Sequence, residues 1–344
     1  MRNITITCLL IYVINILPVA AFEIEFEETF GDNNSVSTIQ ILSSTDSERF
    51  RPVINGFIKR NPELSVHYVT ASTTEIYTAI AKENTTFDLV ISSAMDLQMK
   101  LANDGFTKKV TLTGNGNVPN WARWRSEVFG FAQEPIVLLV SKQDFFDLKL
   151  PKTRRDLLAL MRNNPDIFIN RIGTYDPKIS GAGYLFSTQD SRQSDTFWRL
   201  AEVMGRLNTK LYCCTSKMIK AVDSGELALA YNVLGSYANA ELPLDSNAQV
   251  IALEDYTQIL LRTAVVPLAS KRPDLGTRFL DYLISVEGQD ILDKLAKLPS
   301  LNNFEISKLT NRKPIRLDSG LLVFLDKLKR SAFLREWDAA LFQN

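Results

Sequence analysis

The sequence is poor in histidine and cysteine and has no surplus of either charge. Of its 344 residues, one is histidine and three are cysteine, and 39 Lys and Arg residues balance 39 Asp and Glu residues. Because His67 is the sole histidine, it is the one residue that could act as the base of a Ser–His or Cys–His nucleophile pair. Three catalytic signatures are also missing: the Gly-x-Ser-x-Gly elbow, the His-Glu-x-x-His helix and the Gly-x-x-x-x-Gly-Lys phosphate loop. We therefore expect no enzymatic activity.

The main apolar run lies at the amino terminus and is too short to span a bilayer comfortably. Arg2 precedes an apolar run at residues 4–17, and the small residues 19–21 follow it. This order is typical of a secretory signal peptide, whereas a spanning helix needs about 20 apolar residues. We expect cleavage after Ala21 and a periplasmic protein; an uncleaved anchor is the alternative. Cys8 lies inside the run rather than at the cleavage site, which argues against a lipid anchor.

Removal of residues 1–21 leaves 323 residues (344 − 21) and takes away Arg2. The counts become 38 basic (39 − 1) against 39 acidic residues, a net charge near −1. A balanced charge without a basic block gives no electrostatic footprint for nucleic acid or an anionic membrane, so we expect neither as a partner. A chain of this length exceeds one ordinary core, and two lobes are the natural expectation.

Short apolar strands and amphipathic helices alternate along the chain. Strands at residues 36–42, 66–70 and 87–91 are each followed by a hydroxyl-rich loop and a helix. Three such units in a row predict a parallel sheet with right-handed crossovers, and ligands bind at the carboxyl ends of such strands. A second α/β set begins near Ile136. Its expected strands are residues 136–141, 168–173, 211–213, 227–231 and 250–253.

The alternation predicts one lobe inserted into another through two crossing segments. The apolar run at residues 263–269 can carry the chain back to the first lobe, and helices fill the remainder. We expect a hinge near residues 135–140 and 264–268. The expected domains are residues 22–134 (first lobe), 135–263 (second lobe) and 264–344 (return to the first lobe).

Five stretches together carry a resemblance to a known family. They are residues 121–131, 174–177, 180–185, 213–216 and 230–237. The chain resembles the periplasmic binding proteins of ABC-type uptake systems, in the branch of ferric-ion and hexose-phosphate binders. Within that branch it is most similar to the phosphoglycerate transport regulatory protein group. The likeness spans about residues 36–340.

The resemblance implies a type II periplasmic binding protein fold. In that fold two α/β lobes with parallel-type mixed sheets meet at a hinge and an interlobe cleft. It also implies a partner in the inner membrane, either an ABC permease that takes up the solute or a sensor kinase that reports it. We expect a monomer that needs no cofactor.

One departure from the ferric-ion binders bears on the ligand. Those proteins place two adjacent tyrosines at positions that hold Leu234 and Gly235 here, and they tend to carry Arg where this chain has Glu134. Fe(III) needs anionic oxygen donors, and one histidine with scattered carboxylates makes no ligand cluster. We therefore expect no metal and a small anionic solute, phosphorylated or carboxylated. A ferric-ion binder remains the alternative.

The second lobe offers the sharpest candidate site. Ser180, Gly181, Ala182 and Gly183 open a helix, where glycine lets backbone amides approach an anion and the helix terminus adds unpaired donors. The ferric binders use the matching segment to hold an accompanying anion. An ordinary helix N-cap is the alternative. The other candidates of this lobe are Thr174, Tyr175, Thr215, Tyr231 and Asn232, with Tyr184 and Ser216 as further possibilities.

Hydroxyl groups at strand ends are the first lobe's expected contribution. Ser44, Thr45, Thr74 and Ser93 can donate to phosphate or carboxylate oxygens, although such residues also cap helices. Arg125 is a candidate charge partner, since a guanidinium matches an oxyanion in a bidentate fork. Arg171 and Arg262 are alternatives, and each could instead be ion-paired. Trp124 is a candidate for the cleft wall.

The adjacent pair Cys213 and Cys214 is unusual. An oxidising compartment favours a disulfide, although two neighbouring cysteines can close only a strained ring. Three interpretations stay open: a disulfide that shapes the ligand loop, a free thiol pair, and a reactive redox site. A cysteine-pair redox protein is the one enzyme-like alternative that we retain.

Overall fold

The computed structural model describes residues 22–343, apart from 33–34, 114–117, 244, 304–305, 307 and 309–310. The predicted signal peptide lies outside the described residues. The strands are β1 (Phe26–Phe30), β2 (Ser37–Ser43), β3 (Leu64–Thr70), β4 (Leu89–Ser92), β5 (Arg123–Trp124), β6 (Val128–Ser141), β7 (Ile172–Tyr175), β8 (Lys210–Tyr212), β9 (Leu229–Leu234), β10 (Ala248–Ile251), β11 (Thr257–Val265) and β12 (Arg312–Pro314). The α-helices are α1 (Ser47–Arg60), α2 (Thr73–Ala81), α3 (Met95–Asn103), α4 (Arg154–Asn163), α5 (Pro165–Phe168), α6 (Gly181–Gln193), α7 (Thr196–Arg206), α8 (Thr215–Asp223), α9 (Gly235–Glu241), α10 (Pro273–Ile284), α11 (Val286–Lys294) and α12 (Lys327–Leu341).

The strands join in one mixed sheet with the order β1-β3-β2-β4-β11-β6-β9-β7-β8. The strand β2 pairs in parallel with β3 and β4, and β7 pairs in parallel with β8 and β9. The central strands β6 and β11 are antiparallel to each other and to their outer neighbours β9 and β4. Parallel crossover units therefore form both flanks, as the sequence predicted, and antiparallel strands join them.

Strand β6 belongs to both halves of the sheet. Its residues 129–135 pair with β11, and its residues 136–140 pair with β9. We call the elements around β1-β3-β2-β4-β11 the first lobe and those around β9-β7-β8 the second lobe. The predicted two-lobed α/β organisation is thus confirmed, with one crossing at Pro135 and Ile136. The numerical bounds of the lobes stay a prediction.

The second crossing lies earlier in the chain than the sequence indicated. We expected a hinge near residues 264–268, but Ala264 pairs with Ile91 of β4 and Ile259 pairs with Pro135. All of β11 is buried and paired within the first lobe, so the chain returns between the end of β10 and the start of β11. An apolar run shows that a strand is buried but not which strand it pairs with.

The carboxy-terminal helix α12 also differs from the expectation, which placed residues 264–344 in the first lobe. Its apolar face packs against α7 of the second lobe, where the Trp337 ring lies 5.9 Å from the Phe197 ring. The Phe333 ring lies 6.5 Å from the same phenylalanine. Helical periodicity identifies the apolar face of α12, but only the folded chain shows what covers it.

The expected strand at residues 168–173 begins later, because α5 ends at Phe168 and β7 begins at Ile172. Pro165 occupies the first turn of α5, where its missing N–H would be unpaired in any case. A short apolar run fits a buried helical turn as well as a strand, and Phe168 is fully buried in this turn. Strands β1, β5 and β12 were not expected from the sequence.

Asp96 is a buried carboxyl group in the first turn of α3. Its Oδ1 accepts a hydrogen bond of 2.9 Å from the amide of Leu97. Burial raises the pKa of Asp96 from 3.8 to about 7. The folded protein therefore keeps a proton at pH values at which the unfolded chain has released it. Stability that is present below about pH 4 is lost as the pH rises through about 7.

We expect Asp96→Asn to remove this loss. As the pH rises from about 4 to about 7, the free energy of unfolding of the wild type should fall relative to that of the variant. The fall should be about 1.4 kcal/mol for each unit by which burial raises the pKa. Urea unfolding at about pH 4.5, 6 and 7.5 measures the difference. The control is Asp195→Asn at an exposed position, which should keep the wild-type profile. Parallel profiles for the wild type and Asp96→Asn would contradict the expectation.

Candidate functional site

A cavity of about 880 Å³ lies between the two lobes, at the carboxyl ends of the parallel strands. A cavity of this size suits a small metabolite. The first lobe lines it with the loops that follow β2, β3 and β4. The second lobe lines it with the loops that precede α6 and α8. Its lining residues include Ser44, Asp46, Ser72, Thr73, Thr74, Glu75, Ser93, Tyr175, Lys178, Ser180, Ala182, Cys213, Cys214, Thr215, Ser216, Lys217, Leu234, Tyr237 and Arg262.

The first lobe brings three of its four predicted hydroxyl residues to the cavity. Ser44, Thr74 and Ser93 line it, and the Ser93 amide donates to Ser44 Oγ at 3.1 Å. Parallel strands end at the same edge, which is why loops far apart in sequence meet there. Thr45 lies behind this surface: it is fully buried, and its hydroxyl accepts a hydrogen bond from Arg262.

The amino terminus of α6 is capped across the cleft. The amides of Gly181 and Ala182 donate to Thr73 Oγ1 of the first lobe at 3.0 and 3.3 Å, and the Gly183 amide donates to Ser180 Oγ at 3.1 Å. The amides that were predicted to bind an anion are therefore engaged by protein hydroxyls in this closed arrangement. An anion at this point would have to replace Thr73.

Close packing accounts for the two glycines of this segment. A Cβ atom on Gly183 would lie 2.3 Å from Tyr175 Cβ, and one on Gly181 would lie 2.8 Å from Thr73 Oγ1. Neither position has room for a side chain. The Ser-Gly-Ala-Gly motif thus marks close packing, against the first lobe at Gly181 and within the second lobe at Gly183. The sequence alone could not separate such packing from an anion site.

The amino terminus of α8, unlike that of α6, has no side-chain cap. The side chain of its N-cap residue, Cys214, makes no capping hydrogen bond, and the first residues of α8 line the cavity. The first amides of a helix have no intrahelical partner, so this end offers donors and a positive dipole. Cys213 and Cys214 are joined by a disulfide at the cavity wall. The hydroxyls of Thr215 and Tyr175 are hydrogen-bonded to each other.

Three second-lobe candidates lie away from the cavity in a buried polar network. Tyr231 Oη donates to Asp190 Oδ2 at 2.8 Å, and Asn232 Nδ2 donates to the same oxygen at 2.9 Å. Thr174 Oγ1 donates to the carbonyl oxygen of Tyr231 at 3.3 Å. Tyr184 also points elsewhere, because its hydroxyl donates to the carbonyl oxygen of Phe324.

The three arginine candidates also differ in whether they line the cavity. Arg125 is exposed and stacks on Trp124, 4.1 Å from the ring centroid. Arg171 forms a bidentate pair with Asp144 at 2.6 and 2.7 Å. Neither lines the interlobe cavity, so the geometry gives no support to a ligand role for either one.

Arg262 alone among these arginines reaches the cavity. Its Nε donates to Glu134 Oε1 at 2.8 Å, and both side chains are almost completely buried. Ser236 of the second lobe donates to the other oxygen of Glu134, while Arg262 donates to Thr45 of the first lobe. The floor of the cavity is therefore a buried ion pair that holds both lobes, and its charge is already balanced.

Apart from Arg262, sequence reasoning missed the charged residues of the cavity. Asp46 and Glu75 directly follow predicted hydroxyl residues, and Lys217 follows Thr215 and Ser216, so extending each strand-end loop would have found them. Glu23 and Glu25 do not follow a predicted hydroxyl residue, so no sequence pattern marks them as cavity residues. They reach the cavity because β1 pairs antiparallel with β3.

Two features are absent from the described residues. No group of three or more His, Cys, Asp or Glu side chains in them could hold a metal ion. No helix formed by them is both long and apolar enough to cross a membrane.

Comparison with known proteins agrees with this architecture. A sequence profile of the family described as bacterial extracellular solute-binding protein matches residues 39–294. The substrate-binding protein of an ABC transporter from Agrobacterium tumefaciens is similar, with 33% identity and a TM-score of 0.87. The match covers 92% of this chain and 98% of that one. No curated protein gives a significant match.

Two more distant structures share the fold. AfuA from Actinobacillus pleuropneumoniae, with exogenous fructose-6-phosphate bound, has 13% identity and a TM-score of 0.72 over 90% of this chain and 100% of that one. Iron-bound HitA from Pseudomonas aeruginosa has 18% identity and a TM-score of 0.65 over 88% of this chain and 99% of that one. The type II periplasmic binding protein fold is thereby confirmed. The chain belongs to the bacterial extracellular solute-binding proteins of the ABC transporter type, which work with an inner-membrane permease.

Proposed function

We propose that the protein binds a small metabolite with a phosphate or carboxylate group in the interlobe cavity and presents it to an ABC permease. The observation that carries the proposal is the uncapped amino terminus of α8 in the cavity wall, next to Thr215, Ser216 and Lys217. Helix amino termini with adjacent hydroxyl and ammonium groups are well suited to oxyanions. The fructose-6-phosphate complex of AfuA supports the same chemistry on this fold.

The proposed binding set is smaller than the predicted one. It consists of six of the residues that line the cavity: Ser44, Thr74, Ser93, Thr215, Ser216 and Lys217. We also propose that the protein acts in the periplasm, as a mature chain that begins at Phe22. Family membership supports export, since these are extracellular proteins.

Closure of the lobes supports a hinge mechanism. Thr74 Oγ1 donates to the carbonyl oxygen of Ile179 across the cleft at 2.8 Å. Arg49 of α1 pairs with Glu241 of α9 at 3.4 Å, and its guanidinium lies 4.0 Å from the centroid of the Tyr237 ring. A ligand that contacts both walls binds this closed state preferentially and shifts the population toward it. The closed surface is what a permease would recognise.

We expect a thermal shift with phosphorylated or carboxylated metabolites. The protein, stripped of ligand, is screened against phosphoglycerates, hexose phosphates, inorganic phosphate, di- and tricarboxylates and ferric citrate. A ligand at a hundredfold excess over its dissociation constant should stabilise the fold by about 2.7 kcal/mol. A response to ferric ion alone, or to none of the anions, would contradict the proposal.

Lys217→Gln should weaken the binding of any hit by about tenfold to a hundredfold, because a hydrogen bond to a charged group contributes about 1.5–3 kcal/mol. Lys329→Gln, at an exposed lysine of α12, is the matched control and should bind like the wild type.

A further inference from the structure

The charged residues of the cavity are divided between the lobes according to sign. Among the residues that the structure describes, the first lobe contributes four carboxylates and the second lobe contributes three lysines. The acidic wall is Glu23, Glu25, Asp46 and Glu75, and the basic wall is Lys178, Lys217 and Lys220. The remaining cation of the cavity, Arg262, is paired with Glu134 at the floor and adds no free charge to either wall.

The two walls face each other without joining. Among the described residues, no ion pair within 4 Å connects a carboxylate of the acidic wall to a lysine of the basic wall. Lys178 pairs instead with Asp338 at 2.7 Å, outside this set. The Glu23 amide donates to Glu75 Oε2 at 3.0 Å, so the acidic wall is tied together within the first lobe. Apart from Lys178, the charged side chains of the two walls form no ion pair with any other described residue, so the space between the walls is bounded by charge of opposite sign.

Glu25 shows the effect of this crowding. Its pKa is raised by burial against the cavity wall, although part of the side chain stays exposed, and the nearby carboxylates of Asp46 and Glu23 raise it further. Lys217, on the opposite wall, acts against them. A cationic group between Glu25 and Asp46 would relieve the repulsion between these carboxylates.

We infer that the solute is a zwitterion, which holds its anionic group at Lys217 and the start of α8 and a protonated amine against Glu25 and Asp46. This inference rests on the proposed function, because it assigns the anionic end to the same place. A purely cationic ligand would be repelled by Lys217 and Lys220. A metal ion would need at least three converging ligands, and the described residues provide no such group. An ammonium needs only one to three acceptors.

Two pairs of compounds that differ only in the amine test the inference. One pair is O-phosphoethanolamine and ethyl phosphate, and the other is 4-aminobutanoate and butanoate. Isothermal titration of the wild-type protein should show that the amine-bearing member of at least one pair binds about tenfold to a hundredfold more tightly, as expected for a charged hydrogen bond.

Substitution of the acidic wall then identifies the site of the amine. Glu25→Gln should lower the affinity for the zwitterion to that of its amine-free partner and leave the affinity for the partner unchanged. The control is Glu336→Gln, at an exposed glutamate of α12, which should change neither. Unchanged melting temperatures of both variants would show that folding is intact.

The outcomes separate this inference from the function on which it rests. Equal affinities within both pairs, or tighter binding of the amine-free members, overturn the zwitterion and leave an anion-binding protein. A zwitterion preference that survives Glu25→Gln and Asp46→Asn together also overturns the inference, because the amine then lies elsewhere. If neither these compounds nor the metabolites of the thermal screen bind, the proposed function itself fails.

Discussion

Replacement of Asp190 by alanine is expected to lower the free energy of unfolding by about 3–5 kcal/mol. Asp190 is completely buried and accepts hydrogen bonds from five side chains on α4, β9, β11 and the segment before β11. The donors are Arg154, Tyr231, Asn232, Tyr256 and Gln258. The variant leaves the buried Arg154 with Asp255 as its remaining carboxylate, at 3.0 Å, and leaves all five donors around a cavity. Buried donors that lose their acceptor, together with a buried ion pair that loses one carboxylate, carry a large penalty.

Urea unfolding measures the effect of Asp190→Ala, with Asp195→Ala as the control. Asp195 is exposed, and its side chain does not cap α7. A change within about 0.5 kcal/mol is expected there. The double variant Arg154→Met/Asp190→Leu should lose less than the sum of its single variants, because the two groups compensate each other. Strict additivity would show that the pair does not interact.

Replacement of Arg262 by methionine is expected to have an effect of similar size, about 3–5 kcal/mol. The substitution leaves Glu134 as a buried carboxylate that retains the Ser236 hydroxyl as a donor but has lost its cation. It also removes the link from Arg262 to Thr45, which joins the floor of the cavity to the first lobe. We expect the variant to bind any solute of the cavity more weakly as well, since Arg262 lines it.

An exposed ion pair of the same kind provides the comparison. Arg278 contacts Glu63 at 3.1 Å, and both side chains are nearly half exposed. Arg278→Met should cost less than about 1 kcal/mol, because solvent screens the exposed pair. The double variant Glu134→Gln/Arg262→Met should recover much of the loss. Equal effects of Arg262→Met and Arg278→Met would mean that burial does not strengthen the inner pair.

The network around Asp190 also shows why three predicted ligand residues lie outside the cavity. Tyr231 and Asn232 are in β9, next to the hinge, so sequence position alone makes them good candidates for a cleft. Their side chains turn instead toward α6, where Asp190 needs donors. A buried carboxylate must be satisfied wherever it occurs. Nothing local to residues 231–232 indicates that its partner is 42 residues earlier in the chain.

The sequence by itself determined the class of the fold and the edge of the sheet that forms the site. Apolar periodicity predicted strands and helices in alternation, and parallel strands must end at a common edge. For that reason Ser44, Thr74, Ser93 and Thr215 could be predicted as cavity residues from their positions after strands. The sequence also shows directly that Leu234 and Gly235 occupy the positions at which the ferric-ion binders have tyrosines.

The tertiary structure alone decided which donors remain available for a ligand. The α6 amides are capped by Thr73, which is 108 residues away from Gly181, whereas α8 lacks a side-chain cap. Likewise, Glu25 faces Lys217 only because β1 pairs with β3 and the two lobes close. Periodicity and helix-start motifs are properties of a few neighbouring residues. Capping and charge partners are instead supplied by distant segments, and these meet only when the lobes are packed together.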